Sequence, residues 1–153
     1  MVGAVLSGIA ILVILFVDRA SGAELSHYRN PQLPETFPFS SAVVVGETIY
    51  LSGELGLDYD TMTLVDGGVA AETTQIFENY QKTLAALGAG LSDIVKCTVF
   101  LDDMAEYSAM NEAYAAALPD PKPARSTFGV DGLALGAALE IECIAVRKSH
   151  AED

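Results

Sequence analysis

The stretch Pro123–Val146, PARSTFGVDGLALGAALEIECIAV, decides how this chain is read. Arg125 follows a turn built on Pro119, Pro121 and Pro123, and Gly129, Gly132 and Gly136 punctuate the loop behind it. That punctuation predicts two closing strands, Ser126–Val130 and Ala138–Val146, the second carrying Glu140 and Glu142 among apolar residues. Side chains two apart on a strand share a face, so both carboxylates are expected on one side of a sheet. Singly, such residues are most often solvated surface charges. Together, a guanidinium on a rigid turn and carboxylates on a neighbouring strand can hold a carboxylate substrate and position a water.

Upstream, Asp103 followed by Glu106 predicts a capped helix start, with Tyr107, Met110, Tyr114 and Leu118 on one stripe before Pro119 ends it. Ile94–Leu101 alternates Val95, Cys97, Val99 and Leu101 with Lys96, Thr98 and Phe100, the pattern of a strand. Ala71–Leu87 places Ile76, Tyr80, Leu84 and Leu87 at helical spacing, with Glu72, Glu78 and Lys82 elsewhere, and stops at Gly88 and Gly90. Ala42–Val45 and Thr48–Ser52 flank Gly46–Glu47 as a hairpin, and Asp58–Gly68 is a loop or short hairpin. Glu24–Phe39, with Pro31, Pro34 and Pro38, reads as extended lead-in. The order strand, strand, helix, strand, helix, strand, strand gives an α+β fold, a two-layer sandwich whose mixed β-sheet is covered by two helices on one face. The other face would leave Ile144 and Val146 exposed beside Glu142, which favours an oligomer closing sheet against sheet.

At 153 residues the chain suits one domain. A net charge of -13, with only eight scattered Lys and Arg, argues against nucleic acid and anionic membrane surfaces. A small anion is still bindable where one cation is held locally, and Arg125 is the candidate. Val2–Val17 is an apolar run followed by Asp18, Arg19 and the small residues Ala20–Ala23. Residues 1–23 therefore read as a signal peptide, with an uncleaved membrane anchor or a mis-assigned start as alternatives, and 24–153 as the single domain. A true signal implies export to the periplasm or beyond; the alternatives leave the protein cytoplasmic or membrane-anchored. Cys97 and Cys143 fall in apolar runs and read as buried thiols, while their pairing depends on a separation that sequence does not supply.

No phosphate-binding glycine loop and no metal-ligand cluster occurs in the sequence. His27 and His150 are isolated and read as surface residues, and Ser52 lacks the G-x-S-x-G setting of a hydrolase nucleophile. Tyr107 and Tyr114 read as core.

In order along the chain, YLSGELGLD from Tyr50, LAALGAGLSDIVKCTVFLDDM, MNEAYAAAL from Met110, PARST from Pro123 and ALEIECIAVR from Ala138 make a specific set. The chain thereby resembles the Rid family of reactive intermediate or imine deaminases, also called the YjgF family, over Pro38–Arg147. The resemblance implies a chorismate-mutase-like fold, a homotrimer with sites between subunits, and no metal or cofactor. It implies hydrolysis of 2-imino acids, formed from enamines such as 2-aminoacrylate, to 2-keto acids and ammonia. Carried onto this sequence, Arg125 grips the substrate carboxylate and Glu140 positions or activates the water. Phe39, Ser52, Gly53, Glu54, Asn111 and the backbone of Thr127 match pocket positions.

Two positions depart from the family pattern. Phe39 stands where the deaminases have a Tyr, and Glu54 where Gln is usual. A carboxylate facing an anionic substrate weakens binding unless it is protonated or turned away. The competing reading is a non-catalytic trimer that holds a small carboxylate or amine in the same pocket. A ribonuclease is opposed by the charge and by the absence of a suitably placed His pair.

Overall fold

Alternation and helical spacing translate into eight strands and two helices in the computed structural model, which describes residues 23–147. The apolar run Val2–Val17 and His150 lie outside those residues. Among the described residues no helix is long and apolar enough to cross a membrane. The elements are β1 (Leu25–Tyr28), β2 (Ala42–Val45), β3 (Thr48–Leu51), β4 (Leu57–Asp58), β5 (Thr63–Leu64), α1 (Gly68–Ala86), β6 (Ile94–Leu101), α2 (Tyr107–Ala117), β7 (Ala124–Gly129) and β8 (Leu139–Val146).

The main sheet runs β1-β2-β3-β8-β6-β7, with β4 and β5 forming a separate two-stranded hairpin. Only β6 and β7 pair in parallel, so the sheet is mixed as expected. The lead-in contains one element that sequence did not show: Leu25–Tyr28 pairs with β2 as an edge strand. Its residues LSHY are mostly exposed and carry no apolar alternation, so its order comes from the neighbouring strand.

α1 ends in a Schellman turn, Gly88 at φ +72° with its N–H on Ala85 and the Ala89 N–H on Leu84. At α2, the Asp103 carboxylate accepts from the Ala105 N–H at 2.8 Å, and a short 3₁₀ turn over Met104–Glu106 precedes the helix. Both helices pack on one face of the sheet. Ile76, Phe77, Tyr80, Leu84, Met110 and Tyr114 meet Ile49, Leu51, Val99, Leu101, Leu139 and Ile141 there, all buried. Glu72, expected on the polar side of α1, is instead 5% exposed and accepts the Ala138 N–H at 2.9 Å. A hydrogen bond to the chain between β7 and β8 satisfies the buried carboxyl, whose pKa is raised by burial.

Cys97 and Cys143 are not free thiols. They are direct partners across β6 and β8, with Cα atoms 4.1 Å apart, and are joined as a disulfide. Among the described residues no helix covers the other sheet face. Tyr50, Phe128 and Val146 are exposed there, alongside Glu142 and half-buried Ile144.

Candidate functional site

Strand register decides which site residues meet. Arg125 pairs with Cys97 across the parallel β6–β7 ladder and so shares the helix-covered face. Glu140 of β8 pairs with Phe100 of β6 and shares the bare face. The expected catalytic pair is thus split within one chain, two strands apart and on opposite sides of the sheet.

The first group surrounds Arg125. Its Nη2 donates to Asn111 Oδ1 at 2.6 Å and to the Tyr107 hydroxyl at 3.2 Å. The guanidinium lies 4.7 Å over the Tyr114 ring, with Met110 Sδ 3.8 Å from Nη1. Tyr114 does belong to the core, as its spacing suggested, yet it also supports the guanidinium, and 38%-exposed Tyr107 is not core at all. Arg125 has no carboxylate partner among the described residues; the ion pairs there are Lys122–Asp120 and Arg147–Glu47. Two buried hydroxyls flank it without hydrogen-bond partners, those of Tyr114 and Thr127. Burial raises the Tyr114 pKa, opposed by Arg125. A cleft of about 400 Å³ opens beside the group, lined by Asn111, Tyr114, Ala115, Lys122, Pro123 and Arg125. An unpaired guanidinium braced by α2, beside orphaned hydroxyls, is suited to an anion.

The second group surrounds Glu140. A Cβ at Gly53 would fall 1.8 Å from Glu140 Oε1, so only glycine lets the carboxylate lie against this backbone. The Ser52 hydroxyl donates to the Ser40 carbonyl at 2.7 Å, tying the Ser52–Gly53 turn to the segment that carries Phe39. Phe39 is 46% exposed and lies 5.4 Å from the Phe37 ring. Burial, and secondarily Glu142, raises the pKa of Glu140, making it a better proton acceptor than an ordinary carboxylate.

Glu54 backs the Glu140 group from the other side of the sheet. It forms an isolated β-bridge with Ile141, with N–H to carbonyl distances of 2.8 and 3.1 Å, and its side chain takes the core-facing side of that bridge. There Oε1 accepts from the Tyr59 hydroxyl at 2.6 Å and from Asn79 Nδ2 at 3.2 Å. Burial pushes its pKa up to about 7, against the pull of both donors and with Glu140 adding to the rise. The carboxyl is therefore turned to the core side of the bridge, in a setting that favours its protonated form more than that of an ordinary carboxylate. The Tyr80 hydroxyl, between the carbonyls of Ser52 and Ile141, clamps the same bridge from α1. Sequence reading missed Tyr59, Asn79 and Tyr80. The place of Tyr80 within the α1 stripe was visible, but not its partners, and Asn79 carried no signal.

Comparison with known proteins adds independent information. The family model described as Endoribonuclease L-PSP matches residues 31–147. The RutC family protein UK114 of Drosophila melanogaster is 44% identical over 112 residues, spanning 73% of this chain and 81% of that protein. The 2-iminobutanoate/2-iminopropanoate deaminase of Homo sapiens is 39% identical over 110 residues, 72% of this chain and 80% of its own length. The crystal structure of RidA from an Antarctic Psychrobacter superposes with a TM-score of 0.74 at 37% identity, covering 80% of this chain and 99% of that one.

Proposed function

Because the chain belongs to the Endoribonuclease L-PSP family, the YjgF/Rid proteins with the chorismate-mutase-like fold, we propose that it hydrolyses reactive 2-imino acids to 2-keto acids and ammonia. The observation that carries this reading is Arg125, a cation with no carboxylate partner among the described residues of a chain of net charge -13. Relatives named as imine deaminases at about 40% identity support it. The same charge disfavours the ribonuclease activity that the family description suggests.

In this reading the substrate carboxylate lies on the Arg125 guanidinium, which Asn111 and Tyr107 hold in one orientation. The water oxygen bonds to C2 of the protonated imine while Glu140 accepts a water proton. Glu140 then returns that proton to nitrogen, the C2–N bond breaks and ammonia leaves while the C2 hydroxyl gives its proton to the Glu140 carboxylate, which forms the keto group. Protonated imines already react with water, so proximity and a placed acceptor suffice.

Since Arg125 and Glu140 occupy opposite faces of one sheet, the complete site combines Arg125, Asn111 and Thr127 of one copy with Ser52, Gly53 and Glu140 of another. A homotrimer whose sheets close on one another supplies such pairs and covers Tyr50, Phe128 and Val146. The Cys97–Cys143 disulfide favours an oxidising compartment, in keeping with an exported protein.

The test generates a 2-imino acid in situ with an amino acid oxidase and traps what remains with semicarbazide. The wild type is expected to lower the semicarbazone yield and Arg125→Ala to leave it unchanged. Equal yields with and without wild type contradict deamination. If pyruvate nonetheless binds, a ligand-binding trimer replaces it.

A further inference from the structure

Glu54 is a carboxyl group that the proposed reaction does not use, yet it is built into the wall of the Glu140 group. Resting on the site reading above, we propose that Glu54 is a positioning residue for Glu140 and a charge gate that weakens the hold on anionic ligands whenever it is ionised. The geometry is a two-sided bridge. On one side, Gly53 lies against Glu140 Oε1. On the other, the next side chain, Glu54, is anchored to Tyr59 and Asn79. The backbone of Glu54 exchanges two hydrogen bonds with Ile141, the residue after Glu140. A shift at Glu54 therefore moves both the glycine that borders the Glu140 carboxylate and the strand segment that carries it.

The anchor is itself braced. Asn79 Nδ2 also donates to the Leu57 carbonyl at 2.9 Å, and Gln75 Nε2 donates to Asn79 Oδ1 at 3.0 Å, which fixes the amide orientation. The titratable groups facing Glu54 are Tyr59 after β4, Tyr80 on α1 and Glu140 on β8. Burial raises the pKa of both tyrosines, so neither phenol supplies a charge near neutrality. No Lys or Arg pairs with Glu54 among the described residues. Ionisation thus adds an uncompensated negative charge one backbone layer behind Glu140.

The direction of the effect follows. Below neutrality the protonated form of Glu54 prevails, and Arg125 acts on a substrate carboxylate with Glu140 and its same-face neighbour Glu142 opposing it. As pH rises through about 7, the value to which burial pushes Glu54, the added charge repels the bound anion. Folded-state pKa above the unfolded one means that the stabilising contribution is complete below the ordinary carboxyl range and is lost as pH rises towards about 7.

The experiment compares wild type with Glu54→Gln, which keeps an oxygen acceptor for Tyr59 and Asn79 and removes the charge. Pyruvate, a keto acid of the product class, is the probe, and its Kd is measured by calorimetry from pH 5.5 to 8.5 alongside urea unfolding at each pH. The wild-type Kd is expected to rise roughly tenfold across that range, beyond any change in Glu54→Gln, the order expected for one added charge acting through the protein interior. Wild-type stability is expected to fall relative to the variant between pH 5.5 and about 7. A constant stability difference overturns the buried titration. A stability difference that changes with pH, combined with matching Kd profiles, overturns the gate. Pyruvate binding by neither protein overturns the site reading on which the gate rests, separately from the titration.

Discussion

The two faces of one sheet handle charge in opposite ways. On the helix-covered face, Arg125 has no carboxylate partner among the described residues and is held by neutral partners, Asn111, Tyr107 and the Tyr114 ring. On the bare face, Glu140 lies against Gly53 with Glu142 as its same-face neighbour, so its environment favours taking up a proton. The difference teaches that, in the proposed reaction, grip and chemistry would be separated by strand parity. A cation needs neutral hydrogen-bond acceptors that leave its charge unspent, and α2 supplies them. A proton acceptor is helped by partial burial and a like charge nearby, the first supplied here by the Gly53 turn and the second by Glu142 on β8.

Breaking the grip is expected to have the largest effect. Arg125→Ala should lower kcat/KM by roughly 10²–10³-fold, mostly through KM, since it removes two charge-assisted hydrogen bonds to substrate. Unfolding midpoints should move little, because no carboxylate is orphaned among the described residues. Breaking the acceptor comes next. Glu140→Gln should lower kcat roughly 10²-fold with KM nearly unchanged, the contribution of a placed general base. A reversed split, with KM affected by Glu140 and kcat by Arg125, would exchange the roles given to the two faces.

The smallest catalytic effect belongs to the bond beneath both groups. Cys97→Ala/Cys143→Ala opens a link between residues 46 apart in sequence. Stability should fall by about 4 kcal/mol by loop-closure entropy. Turnover by the protein that remains folded should stay within roughly twofold, because β6 and β8 keep their hydrogen-bonded register. A large loss of turnover in fully folded protein would show that the disulfide sets the geometry of the faces.

Much of this frame was legible in the sequence. Ile94–Leu101 forms β6 with the expected bounds because Cys97, Val99 and Leu101 alternate onto one buried face, while Val95, expected with them, is exposed where the register shifts between Ile94 and Lys96. The pairing of Glu140 and Glu142 on one face followed from spacing alone. What escaped depends on contacts distant in sequence. The burial of Glu72 is set by an N–H 66 positions away, and the cysteine bond by the β6–β8 register. Local pattern could not place Arg125 and Glu140 on opposite faces either, since that requires knowing that β7 lies beside β6 in parallel. Glu54 looked like a liability in the pocket because the residue after a glycine turn has no readable facing; its bridge to Ile141 supplies one.

The central claim is that each site takes its grip from one copy and its acceptor from another. Arg125→Ala and Glu140→Gln proteins, each nearly inactive alone, can be unfolded, mixed in equal amounts and refolded together. Random assembly of a cyclic trimer should restore about one quarter of wild-type activity, the share of interfaces that join an intact Arg125 to an intact Glu140. Activity no higher than that of the separate variants, in a mixture shown by mass spectrometry to contain mixed assemblies, would contradict the account.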